Sequence, residues 1–166
     1  VELQRLNLLD EATARAQLKS CCASEAWADR MLGHRPYPDE ATVLRLAREE
    51  WASTSDADRL EAFAAHPRIG EGAEGEGDHA RWSRQEQEQA ETASAEVRGA
   101  LADCNRRYEE KFGHVYLVFA TGKSAEQMLE LCRDRLANAP EVELSIAAAE
   151  QAQITDLRLR RLLGIG

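Results

Sequence analysis

Residues His114 to Ala120 read HVYLVFA, and how this run is taken decides the fold. Its β-branched and aromatic residues are those of a strand. No second convincing run of this kind exists in the 166-residue chain, and a lone strand has nothing to pair with. The run is therefore read as an extended apolar segment threaded through a helical core, its N–H groups met by side chains, water or a ligand. The fold expected is all-α: a single helical domain over residues 1–166, with about seven helices and one buried extended segment at about 114–120.

Helix signals surround the segment on both sides. Downstream, Ser124 with Gln127 three residues on forms a capping box for a helix to about Ala137, and Pro140 suits the first turn of a last helix that reaches Leu163. Upstream, Gly113 terminates a long helix, which Ser83 and Glu86 would open as a further capping box. Farther back, Asp10 or Asn7 caps a helix through about Ser20, and Ser24 starts a short one that stops at Gly33. Asp39 caps a helix to about Ser53, and Ser55 or Asp56 opens one that ends before His66-Pro67. Residues 70–81, GEGAEGEGDHAR, make a glycine- and acid-rich loop of the length found in lids, ligand loops or disordered segments.

Composition excludes several classes of function. A net charge of −9 argues against a nucleic-acid surface, because phosphate binding needs clustered Lys and Arg. One or two local arginines suffice for an anionic small molecule. No apolar run approaches the ~20 residues of a membrane span, and no signal-peptide pattern is seen in residues that begin at Val1. The four cysteines, Cys21, Cys22, Cys104 and Cys132, include no C-x-x-C pair, and the four histidines lack i, i+4 spacing. No metal is expected. Unpaired cysteines fit a reducing compartment, and the last residues, Leu163-Gly164-Ile165-Gly166, are not of the Ser-Lys-Leu type. The expected localisation is cytoplasmic.

The chemistry centres on FAAHPRIGEG, residues Phe63–Gly72. Proline disfavours αR geometry in the residue before it, so His66 sits just past a helix end in extended geometry. It is either a plain helix stop or a proton-transfer residue. Ser83, Glu86 and Gln87 share one helix face, either as a solvated cap or as a polar wall. A His and a Glu brought together make a general acid–base pair. In ITDLRLRRLL the arginines cannot all face inward, and one that does, such as Arg158, would clamp a carboxylate or ureido group.

HPRIG, the S-x-x-E-Q of Ser83, Glu86 and Gln87, NRRYEEKFGHVYLVFATGKS and ITDLRL occur in this order. Together they resemble the 2-oxo-4-hydroxy-4-carboxy-5-ureidoimidazoline (OHCU) decarboxylase family of urate breakdown, from about Leu6 to Leu163. The resemblance implies an all-helical domain, a homodimer, a small-molecule substrate, and no metal or organic cofactor. It implies that His66 is catalytic, with Glu86 as its acid–base partner and Pro67 shaping the pocket. It implies a polar wall of Ser83, Glu86 and Gln87, a substrate-binding Arg158, and backbone groups at Val118, Phe119 and Ala120 offered to the substrate ring. Glu88-Gln89 stands where the family often has a small pair, and His114 where an aromatic is common. Two other readings compete with this one. The first is a non-catalytic acidic helical module docking a partner through the apolar segment. The second is the same fold acting on another ureido or imidazole acid.

Overall fold

Short polar side chains start most of the helices. Asp10 accepts the Thr13 N–H at 2.9 Å, Asp39 that of Thr42 at 2.7 Å, and Ser24 that of Trp27 at 3.2 Å. Each meets an amide that the first turn would otherwise leave orphaned. Ser55 and Asp58 exchange side-chain and backbone bonds at 3.1 and 3.2 Å, and Ser124 and Gln127 do the same at 2.8 and 3.1 Å. The computed structural model describes residues 2–70, 78–86 and 93–166. Among these residues there are nine helices and no strand, so the chain is all-helical. They are α1 (Leu3–Leu8), α2 (Glu11–Cys21), α3 (Glu25–Gly33), α4 (Glu40–Ala52), α5 (Asp56–Ala64), α6 (Asp78–Glu86), α7 (Ala95–Phe112), α8 (Ala125–Arg135) and α9 (Pro140–Leu163).

Four local readings need correction. The sequence reading passed over α1, whose N-cap Glu2 makes no side-chain capping bond. Ser83 and Glu86 do not open a long helix. Both lie within α6, which starts five residues before Ser83 at Asp78, and α7 is capped separately by Ser94, whose side chain accepts the Val97 N–H at 3.3 Å. The physical reason is burial. Ser83 is 1% exposed and faces the interior, where it cannot serve as a solvated cap. Gly33 ends α3 from within the helix, and the capping residue His34 keeps αR geometry. The sequence reading of residues 70–81 as one loop holds only in part, since 78–81 are helical and 71–77 lie outside the described residues.

Two compact units divide the chain: residues 1–62 with 152–166, and residues 63–151. In the first, α2, α3 and α4 pack in sequence. The indole of Trp27, fully buried, donates to the Ala47 carbonyl at 3.1 Å, and the Tyr37 hydroxyl donates to that of Met31 at 2.6 Å. In the second, α7 packs on α8 around a core that includes Leu101, Tyr108, Tyr116, Val118 and Met128. Gly113, at φ 77°, closes α7 in the left-handed region and turns the chain into the segment 114–120.

That segment is neither helix nor strand and is mostly buried. Side chains meet its backbone. Arg135 donates to the Leu117 carbonyl at 2.7 Å, Lys123 to that of Phe119 at 2.7 Å, and the Phe119 N–H donates to Glu150 at 3.2 Å. His114 joins a ring cluster with Phe63, Tyr108 and Phe112, at centroid distances of 5.4, 5.5 and 6.3 Å. The imidazole thus takes an aromatic's packing place.

All four cysteines are buried and none is in a disulfide. Burial pushes the Cys22 thiol up to about 12 and the Cys132 thiol upward as well, so thiolate is scarce at neutral pH. In native protein, an aromatic disulfide reagent should label none of the four in the time it labels all of them in guanidinium. Rapid native labelling at Cys22 or Cys132 would contradict this burial.

Candidate active site

The HPRIG stretch is pinned from both sides. Ala62 and Phe63, both fully buried, anchor the end of α5. The His66 N–H closes the last turn on the Phe63 carbonyl at 3.1 Å, and Pro67, lacking an N–H, cannot continue the helix. Ile69 re-enters the core, and its carbonyl accepts from the buried Asn105 amide of α7 at 3.0 Å. Arg68 grips both carboxylate oxygens of Glu109, also on α7, at 2.9 and 3.0 Å. Gly70, at φ 91°, releases the chain. His66 and Pro67, both half-buried, therefore sit on a backbone whose course is set by packed neighbours.

The ring of His66 is held from α9. Its Nε2 lies 2.7 Å from Oε1 of Gln151, whose side chain is buried at 1% exposure. A carbonyl oxygen only accepts, so this contact favours the tautomer with the proton on Nε2. The preceding residue, Glu150, accepts the Phe119 N–H, so consecutive residues of one helical turn hold the histidine and the extended segment. The carboxylate at the Phe119 N–H and the Lys123 ammonium at the Phe119 carbonyl bracket that residue with opposite charges.

The remaining predicted residues fall as follows. Ser83, buried, and Glu86, half-buried, share a face of α6 in the same unit as His66. Gln87 and the Glu88-Gln89 pair lie outside the described residues. Val118 and Ala120 direct buried side chains into the core, while Phe119 is half-buried between them. Arg158 belongs to the other unit, where it is fully buried and donates to the Ser20 carbonyl at 3.5 Å. Of the arginines in its motif it is the inward one, since Arg160 and Arg161 are partly exposed and Arg160 pairs with Asp156 at 2.7 Å.

Sequence reasoning missed Gln151 and Glu150. A signal was present. Ala147, Gln151, Ile154 and Arg158 recur at i, i+4, i+7 and i+11, and all four are buried, so two polar residues interrupt an inward stripe. Partner docking through the apolar segment does not fit the structure, because Tyr116, Leu117 and Val118 are at most 3% exposed. Among the described residues no cluster of three or more His, Cys, Asp or Glu could hold a metal, and no helix is long and apolar enough to cross a membrane.

The family model of OHCU decarboxylase matches residues 7–160. The chain belongs to the OHCU decarboxylase family. A uric acid degradation bifunctional protein of Arabidopsis thaliana is 38% identical over 148 residues, covering 87% of this chain and 45% of the relative. A uric acid degradation bifunctional protein of Bacillus sp. (strain TB-90) is 23% identical over 169 residues, covering all of this chain and 33% of the relative. The chain thus spans less than half the length of both relatives. A crystal structure of OHCU decarboxylase in the presence of (S)-allantoin superposes with a TM-score of 0.77 at 35% identity, covering 88% of this chain and 96% of that one. A crystal structure of (S)-allantoin synthase, at 14% identity and a TM-score of 0.72, covers 97% of this chain and 54% of that one, and shows likeness of fold alone.

Proposed function

We propose that this chain, acting as one catalytic domain, decarboxylates OHCU to (S)-allantoin without a cofactor. The observation that carries this reading is the half-buried His66 ring, fixed at a helix end and hydrogen-bonded to buried Gln151, in a chain of this family. In OHCU the departing carboxylate sits on a hydroxyl-bearing carbon beside a ring C=N. When the bond to CO2 breaks, its electron pair forms a C=C bond with the neighbouring carbon. The C=N pair moves onto nitrogen, which takes up a proton. The hydroxyl then loses its proton to become a carbonyl, and the neighbouring carbon gains one on a single face. The substrate carries its own electron sink, so the protein has to supply orientation and proton transfer.

His66 and Glu86 are assigned the proton transfers in this reading. Arg158 and Gln87 hold the anion and the ureido arm, with Pro67 and Ser83 shaping the site around them. The backbone of Val118 to Ala120 faces the ring, and the Phe119 N–H, bonded to Glu150, becomes available when that carboxylate turns aside. The working form is a homodimer in the cytoplasm.

The test generates OHCU in situ from urate and follows optical activity with and without the protein. Uncatalysed decay protonates both faces and gives racemic product, so the expected result is faster loss of OHCU with build-up of one enantiomer. The rate should survive exhaustive chelation. Racemic product at the uncatalysed rate would overturn the reading, and loss on chelation with recovery on zinc would overturn the mechanism.

A further inference from the structure

The inward stripe of α9 is the starting point. Gln151 occupies a position whose neighbours on the same face, Ala147 and Ile154, are apolar and buried. A primary amide there costs free energy unless it is hydrogen-bonded, and a leucine or methionine would fill similar volume without that cost. Its carbonyl oxygen lies 2.7 Å from His66 Nε2, across 85 residues of sequence. The preceding residue shows that a carboxylate can be placed on this turn, since Glu150 is directed to the Phe119 N–H instead. The group that meets Nε2 is therefore a neutral acceptor. A carboxylate there would favour the imidazolium and impede its return to base, whereas an amide orients the ring without adding charge.

We propose that Gln151 is a positioning residue that holds His66 as its Nε2–H tautomer, so that Nδ1 is the nitrogen exchanging protons with the substrate. The inference rests on the decarboxylase reading for its second half only. The tautomer is a property of the ligand-free protein.

The experiment has two arms. In protein labelled with 15N-histidine, long-range 1H–15N correlation spectra recorded above neutral pH, with the His66 signal assigned by its absence in His66→Asn, should show a protonated Nε2 and an unprotonated Nδ1. In Gln151→Met the two nitrogen shifts should move towards each other as Nε2 loses this acceptor, and kcat on OHCU should fall by roughly 10- to 100-fold, the range seen when partners that orient ligating histidines are removed. KM should stay within about twofold, because Gln151 acts on proton transfer through His66 and not on substrate affinity. Gln151→Glu, which keeps an acceptor oxygen, should restore the Nε2–H pattern and part of kcat. A wild-type protein with the proton on Nδ1 would overturn the proposal, as would a folded Gln151→Met with wild-type kcat. A protein inactive on OHCU would overturn the decarboxylase reading instead, and the spectra would still decide the Gln151 contact.

Discussion

Replacing His66 with Asn or Ala should lower OHCU turnover by at least about 10²-fold, the lower end of what a general acid–base residue contributes. The helical signal and melting point should barely move. The ring is half-buried beyond α5, which ends at Ala64, and Pro67 bars the helix from continuing whatever residue precedes it. Asn offers hydrogen-bonding atoms to Gln151 but cannot shuttle protons near neutrality, so a loss in His66→Asn isolates the chemistry from the contact. Glu86→Gln should also cost activity. Glu86→Ala becomes a usable probe, because Glu86 is the ninth residue of α6 and supports no N-terminal capping box. Near-wild-type turnover in His66→Asn would remove the catalytic assignment and leave the histidine a helix stop.

Truncating Glu143 should be the most destabilising single change in residues 63–151, costing about 3–5 kcal/mol. Glu143 is fully buried and pairs with Arg135, whose side chain is 8% exposed. It also accepts the Tyr108 hydroxyl at 2.5 Å and the Asn138 amide at 3.1 Å. Arg135 in turn donates to the Leu117 carbonyl and stacks its guanidinium 5.0 Å from the Tyr116 ring. Burial, helped by the bond to Glu143, pushes the Tyr108 hydroxyl upward, so it remains a neutral donor. Glu143→Ala leaves a buried guanidinium and a phenol without their shared acceptor. Denaturant unfolding should therefore show a large loss of stability in Glu143→Ala. The double change Arg135→Met with Glu143→Leu should cost less than the single one, because no charge is left uncompensated. A single-mutant loss below about 1 kcal/mol would show that water or rearrangement satisfies Arg135. Because Arg135 holds Leu117, two residues before Phe119, the same variant should also loosen the extended segment.

What the sequence determined by itself was everything governed by neighbours three or four residues apart. The caps at Asp10, Ser24, Asp39 and Ser124 are i to i+3 contacts, and each helix begins where its cap stands. Gly113 ends α7 because its positive φ needs no distant partner, and HVYLVFA could not pair as a strand because no second such run exists. Packing overruled local chemistry at Ser83. Its spacing to Glu86 is that of a cap, but burial on α6 outweighs a signal worth only about 1 kcal/mol. Tertiary structure alone decided which polar side chains turn inward and what they meet. Gln151 reaches His66 across 85 residues, Arg135 reaches Leu117 across 18, and Glu150 reaches Phe119 across 31. No local spacing encodes such pairs. They form because the interior leaves a buried amide, guanidinium or carboxylate no other way to recover the hydrogen bonds it loses with water.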